Sequence, residues 1–314
     1  MNLNFGNLLG AMPGGIAQGL IWGFMALGVY ITFRLLDIAD LTVDGSFTTG
    51  GAVTVMLILS GVNPLLAILA AACAGIAAGT VTGLLHTVFD IPAILSGILT
   101  QFALYSINLA IMGMSANKGL PVDKYKLFVT SRHINASIIT GIILILIAIA
   151  VLYWYFGTEH GSAMRATGCN PEMAKAQGIN ISSMKVMGLA LSNAFVAMSG
   201  GLLSQYQGFA DINMGRGAIV IGLAAVIIGE VVGNAIVGKR MNFALRLVFV
   251  TIGGIIYYLV IVVVLWLKLD SNYLKLLTAV VVAIFLSVPN IQAKMRNSFS
   301  RAGKRSVKNS REGA

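Results

Sequence analysis

Charged side chains are scarce in this sequence, at 10% of 314 residues where a soluble domain carries about 25%. Hydrophobic residues make up 57% and mean hydropathy is +0.88, which excludes a water-soluble globule and predicts a polytopic, all-α membrane protein. Cysteine is nearly absent. Cys73 lies in an apolar run and Cys169 in a polar stretch, so a disulfide framework is excluded. The histidines His86, His133 and His160 are too dispersed for zinc-type pairing, and neither H-E-x-x-H nor G-x-S-x-G occurs. Gly233–Lys239 nearly completes a phosphate loop, but Arg240 stands where a hydroxyl must hold magnesium and no strand precedes it. Nothing supports an enzyme, and no cofactor is expected on this chain. Met1–Phe5 has no basic n-region, so the first span is expected to serve as its own insertion signal.

What the chain has is long apolar runs. A crossing needs about 20 mostly apolar residues. Gly14–Leu36, Pro64–Leu85, Pro92–Met114, Ile138–Phe156, Val186–Tyr206, Phe243–Leu267 and Tyr273–Val288 qualify, while Phe47–Leu59 and Ala218–Val232 are short enough to be broken or re-entrant. The total is about nine segments, within a range of eight to ten. Net charge is +10, much of it in a tail carrying Lys294, Arg296, Arg301, Lys304, Arg305, Lys308 and Arg311. Positive charge just after a span marks the cytoplasmic side, a better reading than nucleic-acid binding, and anionic lipid is a natural contact. Counting back through nine crossings places 157–183 inside and both the N-terminus and Ser115–Asn135 outside. The expected division is a membrane domain, 1–293, and a disordered cytosolic tail, 294–314.

The polar interruption GTEHGSAMRATGCNPEMAKAQGINISS, 157–183, reads as a loop, a short helix and a loop. Asn170 suits the N-cap and Pro171 the first helical position. Glu172 favours the positive end of the dipole, and Gly178 supplies a left-handed stop, predicting a helix over Pro171–Gln177. Two turns are marginal alone, so a partner surface is expected to order them. Within this stretch Arg165-Ala166-Thr167-Gly168, Asn170-Pro171-Glu172-Met173-Ala174 and Gly178-Ile179 resemble the cytoplasmic coupling segment of bacterial ABC-importer permeases of the branched-chain-amino-acid/ribose-type superfamily. The branch it resembles is the one paired with tryptophan/tyrosine-type binding lipoproteins. Asp40–Ser46 and Gln205–Gly215 fit the same branch, and the similarity covers nearly everything but the tail.

That resemblance implies a permease subunit in the bacterial plasma membrane, carrying a small amino-acid-like solute and paired with a second permease copy. It further implies an ATPase dimer holding ATP and magnesium, an extracytoplasmic binding lipoprotein, and a coupling role for Arg165, Asn170, Pro171, Glu172, Ala174 and Gly178. An ion-coupled secondary transporter is the alternative; it would use Asp40, Asp44, Asp211 or Glu230 as titrating groups.

An internal echo points to the solute path. Ala39–Val43 resembles Ala210–Met214, and the same shift matches Gly51 with Gly222 and Val55 with Val226. Five crossings separate the copies, so they would be inverted in the membrane, an arrangement in which the repeats flank the substrate route. Asp37, Asp40 and Asp44 cluster between apolar segments. They form either a wall of that route or a solvated loop with Asp44 as a cap. Among polar residues within spans, Gln101 and Asn193 suit interhelical hydrogen bonds or ligand contact, and Glu230 suits a solvated end near Lys239. Asp40, Thr42, Asp44, Gln101, Asp211 and Asn213 are the expected path residues. Gly75, Gly79 and Gly83 recur every four residues, with Ala70, Ala74 and Ala78 beside them. They predict a closely packed helix face, inside the bundle or at a dimer seam.

Overall fold

The computed structural model describes residues 5–122, 124–125, 127–238 and 241–266, with 276, 279–280, 283 and 287 beyond. Its helices are α1 (Phe5–Tyr30), α2 (Thr42–Leu59), α3 (Pro64–Thr87), α4 (Ala93–Ile111), α5 (Ile134–Gly157), α6 (Glu159–Cys169), α7 (Pro171–Ala176), α8 (Ile181–Gln207), α9 (Ala218–Ile236) and α10 (Phe243–Trp266). Among the described residues, eight are long and apolar enough to cross a bilayer, all but α6 and α7. The expected ninth segment, Tyr273–Val288, is only sparsely described, and the tail, Lys239 and Arg240 lie outside the described residues.

Side-chain caps set several starts. Asn63 Oδ1 accepts from Leu65 N at 2.9 Å ahead of Pro64, and Asn180 Oδ1 accepts from Ser183 N at 3.1 Å. Each supplies an acceptor to a first-turn N–H that has no intrahelical partner. The expectation of a loop before the Pro171 helix is corrected. Thr158 caps a full helix there, α6, whose glycines hid it from composition but permit close contact. A methyl at Gly168 would strike the Leu35 carbonyl. The two short segments are unbroken helices of 18 and 19 residues, because α2 starts five residues early, in polar sequence, and α9 runs on to Ile236. At 1.5 Å per residue α2 is roughly 27 Å long, just under a hydrocarbon core.

The core is built on α1 and α8. Helix α1 packs on α10 and α9, and α8 packs on α3 and α2. The α2–α3 contact has its counterpart in α9–α10. The shift that carries Asp40 onto Asp211 also carries Ile21 onto Ser192 and Gly28 onto Ser199. Ser192 Oγ donates to Gly28 O at 2.8 Å, and Ser199 Oγ donates to Ile21 O at 2.7 Å. The two bonds exchange under that shift. Helices α1 and α8 are the first and sixth of the eight spans, so they cross in opposite directions and the repeat is inverted.

The glycine row of α3 is spent inside the bundle. Methyls at Gly75, Gly79 and Gly83 would collide with the α8 backbone at Asn193, Leu189 and Val186. Strands β1 (Asn117–Gly119) and β2 (Phe209–Asp211) form a small antiparallel ribbon that helical reasoning did not anticipate, with Asn117 opposite Asp211. Arg34 lies close to the Asp37–Asp44 cluster in sequence but binds elsewhere. Its Nε meets Glu230 Oε1 at 2.7 Å, tying the π-helical end of α1 (Ile31–Leu35) to α9.

Candidate functional site

Both copies of the echoed motif make the same local turn. Asp40 Oδ1 accepts from Thr42 N at 2.9 Å, and Asp211 Oδ1 accepts from Asn213 N at 2.8 Å. Beyond that turn they part. Asp40 is 2% exposed, and its second oxygen accepts from Asn193 Nδ2 on α8 at 2.7 Å. Burial pushes its carboxyl above the usual carboxylate range, against the pull of the Thr42 and Asn193 hydrogen bonds. Thr42 extends the polar cluster, its hydroxyl 2.7 Å from that of Thr82, which donates to Thr100 Oγ1 at 2.9 Å. Thus α2, α3 and α4 are joined by three hydroxyls. Asp211 instead sits half-buried on the ribbon, accepting from Asn117 Nδ2 at 3.3 Å, and Asn213 is exposed.

The copies meet at Asp44. It lies in the first turn of α2, yet its oxygens accept from the first turn of another helix, α9: Gly217 N at 2.9 Å and Ile219 N at 2.9 Å. Thr48 Oγ1 accepts from Gly215 N at 3.1 Å. Gly215 is required at this crossing, since a methyl there would overlap the Asp44 carbonyl. Two helix N-termini therefore converge on one carboxylate, which offsets the partial positive charge of both. The capping role weighed for Asp44 is present, but it acts across the repeat and not on its own helix.

Beside this junction lies a cavity of about 490 Å³. Asp44, Gly45 and Thr48 form the α2 wall, and Ile212 and Arg216 form another. Helix α4 closes it with Gln101, Phe102, Tyr105 and Asn108, which fall on one face at helical spacing. Of the expected path residues, Asp44 and Gln101 reach this cavity. Asp40 and Thr42 lie in the buried cluster, while Asp211 and Asn213 lie near the ribbon. Sequence reasoning missed Arg216 and the aromatic pair. Arg216 is the only arginine of the Gln205–Gly217 stretch and could have been marked there, whereas Phe102 and Tyr105 look like any apolar span.

The polar insert lies apart from the cavity. Asn170 Oδ1 caps α7 through Met173 N at 3.1 Å, Pro171 opens it, and Gly178 adopts φ +81° beyond its end. Glu172 is exposed, as is Met173, whereas Ala174 is 3% exposed and faces inward. Arg165 is committed within the chain. Its Nη2 donates to Phe156 O at 2.8 Å, and its guanidinium lies 5.8 Å from the Phe243 ring centroid. Helix α6 packs on the end of α1, its buried Met164 beside Leu36 and Gly188.

A family model described as branched-chain amino acid transport system / permease component matches residues 12–286. A tyrosine transport system permease protein of Clostridioides difficile (strain R20291) is 37% identical over 283 residues, covering 90% of this chain and 92% of the relative. An uncharacterized protein of Rickettsia prowazekii (strain Madrid E) is 32% identical over 276 residues, 87% of this chain and 95% of its own. The autoinducer 2 import system permease protein LsrC of Yersinia enterocolitica (serotype O:8 / biotype 1B, strain NCTC 13174 / 8081) is 30% identical over 216 residues, 68% of this chain and 58% of its own. No solved structure matches.

Proposed function

We propose a transport cycle from one premise: the chain belongs to the family of branched-chain amino acid transport system permease components, and is a multi-pass membrane subunit of an ABC importer. Its solute is amino-acid-like, a reading supported by the similarity to the tyrosine transport permease. Two permease copies act with a pair of cytosolic ATPases, which bind ATP and magnesium, and with an extracytoplasmic lipoprotein that delivers the solute. The helix pair α6–α7 receives the ATPase, and the tail, with the cytoplasmic ends, faces anionic lipid.

The observation that carries this reading is a continuous line of packing from the polar insert to the cavity. Helix α7 rests on α6, and α6 rests on the end of α1 at Leu35 and Leu36. A few residues on, Asp40 and Asp44 bind α8 and α9. A load on α7 therefore reaches the junction of the two repeats through the end of α1 and the six-residue turn Leu36–Leu41 that follows it. Rocking one repeat against the other opens the cavity to alternate sides. Ion-coupled transport has less support. Of its four candidate groups, Glu230 is ion-paired, both Asp44 oxygens are occupied as a cap, Asp40 is held by Thr42 and Asn193, and Asp211 is held by Asn213 and Asn117.

Reconstitution tests the reading. The permease, its ATPase and its lipoprotein in proteoliposomes should take up L-tyrosine only with ATP. Glu172→Arg and Met173→Asp, on the exposed face of α7, should abolish uptake while leaving membrane insertion intact. Uptake driven by a proton gradient without any ATPase would overturn it.

A further inference from the structure

We infer that the cavity between α2, α4 and the start of α9 is a transit site that selects solutes bearing a carboxylate, with Arg216 as the group that reads it. The inference rests on the permease reading above and adds the place and the residue that recognise its solute. Asp44 and Arg216 are the charged residues of the walls. They are not equivalent. Both Asp44 oxygens accept backbone N–H groups of α9, so this carboxylate is spent holding the helices together. Arg216 is exposed and forms no ion pair among the described residues. The uncommitted charge of the cavity is therefore positive. A guanidinium presents its donors in a planar fork that matches a carboxylate in two-point fashion.

Two amides support a built site. Asn108 is 1% exposed, yet its Oδ1 has no partner among the described residues, and its Nδ2 makes only a long 3.5 Å bond to Gly45 O. Gln101, nearly two turns away on α4, makes no side-chain hydrogen bond among the described residues. Buried polar groups normally find partners, and an unpaired acceptor beside a cavity suits a donor such as an ammonium group. Phe102 and Tyr105 supply an apolar wall that fits a ring or aliphatic side chain. Carboxylate on Arg216, ammonium toward the amides and side chain on the aromatic pair together describe an amino acid. A cavity of about 490 Å³ accommodates one with room to spare.

The test places the full-length permease in lipid nanodiscs and measures binding of radiolabelled L-tyrosine by scintillation proximity. The competitors are tyramine, which lacks the carboxylate, and hydroxyphenylpropionate, which lacks the ammonium. Tyramine should compete worst. Arg216→Gln should weaken L-tyrosine by about tenfold to a hundredfold, the worth of one charge-assisted contact, and leave tyramine unchanged. Arg216→Lys should fall between. Because Arg216 is exposed, both variants should elute and melt as the parent does. Equal competition by the two analogues, or an Arg216→Gln permease that binds L-tyrosine as the parent does, overturns the site. Uptake by the assembled importer separates the two readings. ATP-driven uptake of L-tyrosine with an unchanged KM in Arg216→Gln removes the carboxylate site and leaves the permease assignment standing. No uptake and no binding in the parent removes the amino-acid reading and the site together.

Discussion

Residues 37–44 and 208–215 are two answers to one motif. Each carries an aspartate, Asp40 or Asp211, that accepts from the amide two residues on, and each leads into a short apolar helix. The first copy is locked: Asp40 is buried on Asn193, and Thr42 joins a row of hydroxyls. The second is loose, with Asp211 at the rim of a two-stranded ribbon and Asn213 exposed. Identical local turns thus sit in a closed half and an open half of one molecule. In an inverted repeat these environments are what alternating access would exchange. On the proposed cycle the asymmetry between the copies would change with state, while the Asp44 junction that joins them would be kept.

The junction is where the comparison breaks most severely. Asp44→Ala leaves the Gly217 and Ile219 amides without their acceptor, and the expected loss is about 2–4 kcal/mol, seen as an early thermal transition in detergent. Asp44→Asn keeps one acceptor oxygen and should melt between the two. Parent-like melting of Asp44→Ala would mean that the copies are not joined there.

A smaller effect sharpens the contrast between the aspartates. Asp40→Ala strands buried donors on Asn193 and Thr42, at an expected loss of about 2 kcal/mol; Asp211→Ala affects solvated groups and should lose under about 1 kcal/mol. Equal melting temperatures for the two variants would erase the distinction between locked and loose halves.

Accessibility reads the state directly. In single-cysteine variants, Asn213→Cys should react with a water-soluble maleimide without ATP while Thr42→Cys stays inert, and trapping the importer with ATP should raise the Thr42→Cys rate. Rates indifferent to ATP at both sites would remove the exchange.

The smallest effect is in pH. Burial raises the Asp40 carboxyl, so the folded protein binds that proton more tightly than the unfolded chain. Its contribution to stability is complete below the unfolded value and declines as pH rises through the folded one. Asp40→Asn should flatten the melting temperature across that interval. An unchanged slope would assign the pH dependence to other groups.

Much of the frame was legible because its signals are local. Asn170 announces a helix start through its own side chain, and the spans follow from runs too apolar for water. Helix α7 was placed to within a residue by Asn170, Pro171 and Gly178. Helix α6 was missed because glycine and polar residues lower helix propensity, while its stability comes from packing on α1 that no window of sequence contains.

The amino-acid sequence by itself determined that this protein lives in a bilayer, roughly where its spans lie, and where the short helix after Asn170 begins. Each of those follows from composition or short-range hydrogen bonding. Only the tertiary structure decided the partners. Arg34 pairs with Glu230, Asp44 caps a helix 173 positions away, and Arg216 lines a cavity with no ion pair among the described residues. A charge in a bundle takes whichever partner the packing brings within hydrogen-bond reach, and that choice is made by geometry in three dimensions, not by neighbours along the chain.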